Sequence, residues 1–178
     1  MNFIARVKRE NGQWIEDEEG IKASAAQSFA RLFSTEREDR SSPVIDGTLP
    51  MVSPEENELF LRMPIVDELK EVVFALPVDS AVGSDGFGAG FYQGCWDIIH
   101  PDLLLGVQDF FKGVQQPRAF TSAMIVLIPK VVGASQWKEF RPISLYNVSS
   151  KIISKILANR LNLLLLKLIS PWQSGFVP

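Results

Sequence analysis

Met124-Ile-Val-Leu-Ile-Pro-Lys130, followed by Phe140-Arg-Pro-Ile-Ser-Leu145, is the stretch that decides how this chain folds. The first segment is an apolar run ending in a lysine, which predicts a buried strand with a cation at its end. The second segment is extended and carries Arg141 near its start. Two such cations suit a triphosphate or a phosphodiester backbone. An ion pair with acid is the alternative, but Glu139 is the only acidic residue from Arg118 to Pro178.

Charge is divided unevenly along the 178 residues. Residues 1–117 hold 10 Lys/Arg against 20 Asp/Glu, whereas residues 118–178 hold 8 Lys/Arg against 1 Asp/Glu. The net charge of −3 conceals this asymmetry. A basic C-terminal third indicates contact with phosphate, although a solvated amphipathic helix would show the same composition.

Cysteine, histidine and hydropathy exclude several classes of protein. The lone Cys95 leaves no intramolecular disulfide and fits a reducing compartment. With the single His100 it cannot build a zinc cluster, and we expect no nucleophile–base dyad of Cys95 and His100, which are five residues apart. The N-terminus shows no signal peptide. The most apolar stretch, residues 161–169, is too short to span a bilayer, so no membrane partner is expected.

Local signals predict the elements of the N-terminal region. Asn11-Gly12 between two apolar runs predicts a β-hairpin. The acidic residues 17–19 open a helix reaching about Phe33. Its apolar positions follow helical spacing: Ile21, Ala25, Phe29, Leu32 and Phe33. The polar residues 34–54, rich in proline and serine, predict a linker.

Helices dominate the remainder of the prediction. Ser53, with Glu56 three positions later, predicts a capping box for a helix beginning at Pro54. A helix over 65–76 should bury Val66, Leu69, Val72, Val73 and Leu76. Further predicted elements are helices over 91–99 and 102–113 ended by Gly113 and Pro117, a strand over 123–128, and a long helix over 148–169.

The glycine-bearing loop at 77–90 matches no phosphate-binding or calcium-binding motif. It lacks the Gly-Lys-Ser/Thr of a Walker loop and the glycine spacing of a dinucleotide fold. Ala81 and Gly83 stand where an EF-hand needs ligands. We therefore predict a tight turn in which Asp85 accepts local amide protons and Gly86 takes a positive φ.

Taken in order, the motifs resemble the reverse transcriptase of LINE-type, non-LTR retrotransposons. They are Gly83-Ser-Asp-Gly-Phe87, Phe91-Tyr-Gln-Gly-Cys-Trp-Asp97, Ile125–Lys130, Phe140–Leu145, Lys151–Leu161 and Gln173-Ser-Gly-Phe176. The resemblance covers roughly 54–178, as a partial reverse transcriptase domain. Residues 1–53 resemble the stretch joining endonuclease to polymerase. The implied activity is RNA-directed DNA polymerase, a nucleotidyltransferase. The resemblance also implies an intracellular location, and the nucleus is a compartment that suits a retroelement protein.

The resemblance also implies roles for individual residues. Lys130 and Arg141 match the basic pair of the fingers, which contacts the triphosphate of the incoming deoxynucleotide. Lys151 and Lys155 lie one helical turn apart and form a candidate template-backbone face. Gln173 lies in a segment near template and nucleotide. The implied partners are an RNA template, a DNA primer and a deoxynucleotide.

Arg160 is expected to have a different role from the two lysines. At 100° per residue it falls about 180° from Lys155 and about 140° from Lys151 around the helix. The three cations cannot form one stripe. We therefore predict that Arg160 is structural and pairs with an acid elsewhere.

Two departures from the family pattern bear on activity. Val82 and Ser84 replace the prolines that usually flank Gly83. The family's palm aspartates, which hold two Mg²⁺ ions, have no match here, since no Asp follows Asp109 and no Asp-Asp pair occurs. We therefore expect fingers without a palm, with no catalytic or metal-binding residue and no cofactor in this chain, since Mg²⁺ would belong to the complete polymerase. Whether this chain is an enzyme stays open. The expected fold is α+β and helix-dominated, an incomplete fingers region with a small antiparallel sheet, preceded by a hairpin-helix linker region.

Two other functions remain open at this stage. One is a non-catalytic nucleic-acid-binding module that uses the basic third. The other is a helical interaction protein from a decayed element. Leu163 to Leu166 place apolar side chains on more than one face of the last helix, which predicts an exposed apolar surface.

Overall fold

The computed structural model describes residues 4–9, 11–34, 51–169 and 172. The chain forms two compact units. Unit 1 contains residues 1–43 and 125–144, and unit 2 contains residues 44–124 and 145–178. Most of the predicted linker, residues 35–50, lies outside the described residues, and the division predicted at residue 53 stays a prediction.

Unit 1 begins with the predicted β-hairpin. Strands β1 (Val7–Lys8) and β2 (Trp14–Ile15) pair antiparallel, with Val7 opposite Ile15. Gly12 has a φ of 87°, a conformation that glycine adopts without the steric cost of a Cβ atom. Val7 and Ile15 are buried, so the pairing register places both apolar side chains on one face.

Helix α1 (Glu18–Phe33) follows, and Asp17 is its N-cap. The helix therefore begins at the acidic residues, as predicted. The Asp17 carboxylate accepts the Gly20 amide proton at 2.6 Å. Phe29 is buried and meets the Trp137 ring edge-on, with 6.0 Å between ring centroids. The helix ends at Phe33, as the spacing predicted, although Leu32 and Phe33 are 66% and 56% exposed. They lie in the last turn of the helix, beyond the contact with Trp137.

Strands β3 (Ala123–Pro129) and β4 (Phe140–Tyr146) carry the chain from unit 2 into unit 1 and back. They pair as a second two-stranded antiparallel sheet. A 3₁₀ turn at Trp137–Glu139, which the sequence did not predict, precedes β4. Phe140 is buried against the Trp137 ring, at 5.8 Å between centroids. The two extended segments predicted from the opening stretch are therefore confirmed as strands, but the predicted burial of β3 was wrong: none of its residues is buried, and Met124, Ile125 and Ile128 are each more than 40% exposed. A two-stranded sheet covers little of either face, so these apolar side chains keep contact with solvent.

Unit 2 is built from helices. They are α2 (Pro54–Leu61), α3 (Val66–Phe74), α4 (Ala89–Gly94), α5 (Trp96–Phe111), α6 (Arg118–Thr121) and α7 (Val148–Leu168). The predicted capping box of α2 is present, with Glu56 N–H donating to Ser53 Oγ and Ser53 N–H donating to the Glu56 carboxylate. Gly113 has a φ of 78° just after α5 and ends that helix as predicted.

The core of unit 2 lies where α3, α5 and α7 meet. Its buried side chains recur at helical spacing: Leu69, Val72, Val73, Trp96, Val107, Val148, Ile152 and Ile156. Leu76, expected in the core, is partly buried against it. Val66 is 39% exposed, so its predicted burial was wrong. It is the first residue of α3, at the end of the buried stripe.

The sequence predicted a break between two helices at residues 100–101, and that position was wrong. The break between α4 and α5 lies at Cys95. Cys95 leaves the helical region with φ −100° and ψ 15°, and its carbonyl accepts the amide protons of Ile98 and Ile99. Pro101 stands inside α5. Its missing N–H withholds one bond from the helix, while burial of Trp96 fixes where α5 starts.

The fold is therefore a helix-rich mixture of helices and small antiparallel sheets, as the sequence predicted at this level. Within the described part of the chain, no helix is both long and apolar enough to cross a membrane. Leu163, on α7, is 83% exposed, which confirms an apolar side chain on its solvent face.

Candidate nucleic-acid interfaces

Lys130 lies directly after β3, where its backbone is held by the neighbouring strand. Its amide donates to the Glu139 carbonyl at 2.7 Å. Its side-chain nitrogen Nζ donates to the Lys138 carbonyl at 2.8 Å. An ammonium group has three protons, so two remain for a ligand. The side chain is exposed and makes no ion pair with a described residue.

Arg141 is the second residue of β4. Its neighbour Phe140 is buried while Arg141 is exposed, as alternation along a strand requires. No hydrogen bond or ion pair joins its guanidinium to the described residues of the chain. The hydrogen bond from the Lys130 amide to the Glu139 carbonyl places Lys130 opposite Glu139, which is two residues before Arg141. The hairpin therefore brings the two cations to the same end of the two strands.

Glu139 is the single acid in this basic region, and its carboxylate is already occupied. Oε2 accepts the amide protons of Ser135 at 2.7 Å and Gln136 at 3.0 Å. These hydrogen bonds hold the pKa of Glu139 below its ordinary value of 4.5, since they stabilise the ionised form. The carboxylate thereby shapes the loop between β3 and β4.

The two lysines of the predicted template face differ in their surroundings. Lys151 is half-buried, and its Nζ donates to the Ala81 carbonyl in the glycine-bearing loop. Lys155 is exposed and has no partner among the described residues. Lys155 is thus free to meet a ligand, while Lys151 also braces the loop. Nothing in these contacts tests a role in template binding.

Arg160 is buried, and its predicted pairing with an acid is confirmed. Its Nε and Nη2 atoms each lie 2.7 Å from an oxygen of Glu68 on α3. Nη1 donates to the carbonyls of Phe60 at 2.8 Å and Arg62 at 2.7 Å. The guanidinium also lies 4.9 Å from the centre of the Phe111 ring. These contacts make Arg160 a structural residue that ties α7 to α3.

The glycine-bearing loop is a tight turn, as predicted. Asp85 Oδ1 accepts the Phe87 amide proton at 3.1 Å, and Gly86 has a φ of 77°. Sequence reasoning missed what holds the loop, the buried Asn147 just before α7. Its Nδ2 donates to the Ala119 carbonyl at 2.7 Å. Its Oδ1 stands 2.1 Å from where a Cβ on Gly83 would be, so only glycine fits there.

Two further predictions concern residues or groups that the structure leaves untested. Gln173 lies outside the described residues. Within the described ranges, no group of three His, Cys, Asp or Glu side chains is arranged to hold a metal ion. The expectation that these residues carry no catalytic centre stays a prediction.

Comparison with known proteins relates the chain to a transposon. It is 34% identical over 172 residues to the transposon TX1 uncharacterized 149 kDa protein of Xenopus laevis. The matched region covers 95% of this chain but 13% of that protein. No family model matches. Identity at this level over nearly the whole chain supports a transposon-derived protein.

Proposed function

We propose that this relative of a transposon-encoded protein forms part of the fingers of a LINE-type RNA-directed DNA polymerase. Its partners would be an incoming deoxynucleotide, an RNA template and a DNA primer. The ordered motifs from Gly83 to Phe176 support this proposal, as does the similarity to a transposon protein. The chain spans a small share of that protein, so these partners belong to the proposal alone.

The observation that carries the proposal is the hairpin of β3 and β4 with its two exposed cations. Lys130 keeps two protons free and acts as a point charge. Arg141 has no partner among the described residues, and its planar guanidinium can hold phosphate oxygens bidentately. Stabilising charge on a triphosphate is the main task of a protein in phosphoryl transfer. Glu139, the one acid among residues 118–178, hydrogen-bonds backbone amides and forms no ion pair with either cation.

In the proposed polymerase, helix α7 would contact the RNA template. Lys155 is exposed and free for a phosphate of the RNA backbone, and Lys151 lies one turn before it. Gln173 would follow near template and nucleotide. Such contacts set the position of the strand without reading its sequence.

The role proposed for these residues is binding and not metal-ion chemistry. Templated polymerisation uses two divalent ions held by carboxylates. The described residues offer no such carboxylate group, so no step through Mg²⁺ is assigned to them. In a complete polymerase, the ions would be held by other residues.

Nucleotide titration tests the proposal. We expect dATP to bind the purified chain more tightly than dAMP, because the cations act on the β- and γ-phosphates. The K130A/R141A variant should lose this preference, while K112A, which removes an exposed lysine of unit 2, should keep it. Equal binding of dATP and dAMP by the parental chain would refute the nucleotide site.

A second candidate is a nucleic-acid-binding module with no nucleotide site. The single acid among residues 118–178 favours it, since a basic surface binds any polyanion. It predicts RNA binding that weakens steeply with salt, and a preference for dATP over dAMP no greater than charge alone gives, which K130A/R141A would leave largely unchanged.

A further inference from the structure

Unit 1 contains a cleft of about 610 Å³ to which the sequence analysis assigned no role. It is lined by the end of β1, one face of α1 and the 3₁₀ turn before β4. The cations Lys8, Arg9, Arg31 and Lys138 stand around it. None of the lining residues that the structure describes is acidic. Glu10, next to Arg9 in the sequence, lies outside the described residues.

The four cations are not neutralised by the described part of the chain. None of them forms a salt bridge with a described residue, whereas Lys22, on the same helix as Arg31, pairs with Glu18 at 2.5 Å. Two of the acids close in sequence hydrogen-bond backbone amides: Asp17 accepts from Gly20, and Glu139 accepts from Ser135 and Gln136. Like charges placed around one cleft repel one another, and a bound anion would relieve that repulsion.

The cleft is held in shape by bonds between its three walls. The Lys8 amide donates to the Ser135 carbonyl at 2.6 Å, which joins the hairpin to the loop before β4. Trp137 Nε1 donates to Ser24 Oγ at 2.9 Å, which joins the 3₁₀ turn to α1. The backbone segments that carry the four cations are therefore joined before a ligand binds, which lowers the cost of ordering them around it.

The shape and chemistry of the cleft favour a chain of phosphates over a nucleotide. Gly20, Ser24, Gln27 and Arg31 form a stripe along one face of α1, about 16 Å long at 1.5 Å per residue. Binding a base calls for an aromatic platform. Trp137 is the one aromatic side chain among the described lining residues, and it already packs against Phe29 and Phe140.

We infer that this cleft binds the phosphodiester backbone of an RNA strand, independently of base sequence. The inference rests on the proposed function for its choice of RNA, and it gives residues 1–34 a role that the fingers motifs do not supply. The cations hold the phosphates, while the amides of Gln27 and Gln136 offer hydrogen bonds to phosphate or ribose oxygens.

Fluorescence anisotropy with a labelled single-stranded RNA of about 15 nucleotides tests the inference. The variant R9Q/R31Q/K138Q removes three exposed cations. Because each phosphate contact contributes about 0.7 to the salt slope of a single strand, we expect the slope to fall by about 2 and low-salt affinity to fall about tenfold or more. K22Q removes a charge from α1 outside the cleft and should bind as the parental chain does.

Two further arms separate charge from folding and from base recognition. R9K/R31K keeps both charges and should retain most of the affinity. Oligo-U and oligo-A of equal length should bind within a few-fold of each other. Circular dichroism and thermal unfolding establish that the triple variant is folded.

The inference would be overturned if the folded triple variant bound RNA with the same affinity and the same salt slope as the parental chain. The dATP titration of the parental chain judges the proposed function separately. Triphosphate binding with RNA binding that ignores the cleft would defeat the cleft alone. Cleft-dependent RNA binding with no triphosphate preference would defeat the nucleotide site alone.

Discussion

Arg160 on α7 and Glu68 on α3 form a buried bidentate ion pair, with both N–O distances at 2.7 Å. The side chains are 6% and 17% exposed, so water screens the pair poorly. The same guanidinium satisfies the Phe60 and Arg62 carbonyls between α2 and α3. One side chain of α7 thus holds the end of α2 and the start of α3, which lie 92 to 100 positions earlier in the chain.

Removing one member of this pair should be costly. Arg160→Ala leaves the Glu68 carboxylate and two carbonyls without their partner. We expect the free energy of unfolding to fall by about 3–5 kcal/mol. Lys167→Ala breaks the more exposed Lys167–Glu56 pair and should cost about 0–1 kcal/mol. Urea unfolding followed by circular dichroism measures both changes. Similar losses in the two variants would contradict the structural role of Arg160.

Gly83 should tolerate no side chain. A Cβ there would lie 2.1 Å from Asn147 Oδ1 and 2.5 Å from the Asn147 backbone nitrogen. Gly83→Ala must therefore shift the loop or the start of α7, and we expect a loss of about 1–3 kcal/mol in the free energy of unfolding.

Gly106 provides the matched control for that substitution. It lies inside α5, and a Cβ there would have no neighbour within 4 Å. Gly106→Ala should stabilise the protein by roughly 0.5–1 kcal/mol, because alanine loses less backbone entropy in a helix. Destabilisation by Gly106→Ala, or none by Gly83→Ala, would count against the described packing.

Glu139 should make the loop between β3 and β4 sensitive to acid. Because folding lowers its pKa, its stabilising effect is fully present above the ordinary value of 4.5 and is lost as pH falls through the folded pKa. The amide protons of Ser135 and Gln136 should report this in an NMR titration. A midpoint below 4.5 is expected, and one at or above 4.5 would show that the two amides do not bind the carboxylate.

Primer extension tests the expectation about catalysis. With no paired aspartates among its residues, the purified 178-residue chain should not extend a DNA primer on an RNA template in Mg²⁺. The assay needs a complete reverse transcriptase as positive control. Magnesium-dependent extension by this chain would show that other carboxylates hold the ions.

Local signals explain why much of the fold could be predicted from the sequence. Asn11-Gly12, the box of Ser53 and Glu56, and Gly113 each act within a few residues, so their chemistry fixes the local backbone. The helical angle of Arg160 also sufficed to separate it from Lys151 and Lys155. In each case the deciding interaction, or its geometry, can be read from neighbouring residues.

Long-range contacts explain what the sequence did not reveal. Asn147 accepts from Ser84 and Asp85, more than 60 positions earlier in the chain. Gln93 donates to the Val73 and Leu76 carbonyls at the end of α3. The clustering of Arg9, Arg31 and Lys138 likewise depends on how unit 1 folds. Such partners have no signature in a single sequence.

The most direct test of the central claim is to map a deoxynucleoside triphosphate onto the protein by NMR. We expect added dATP to shift the backbone amides of Lys130 and Arg141 and the loop between them, and to leave those of Lys112 unchanged. The shifts should disappear in K130A/R141A. Shifts confined to other regions, or none at concentrations that saturate binding, would contradict the assignment of this hairpin as a triphosphate site.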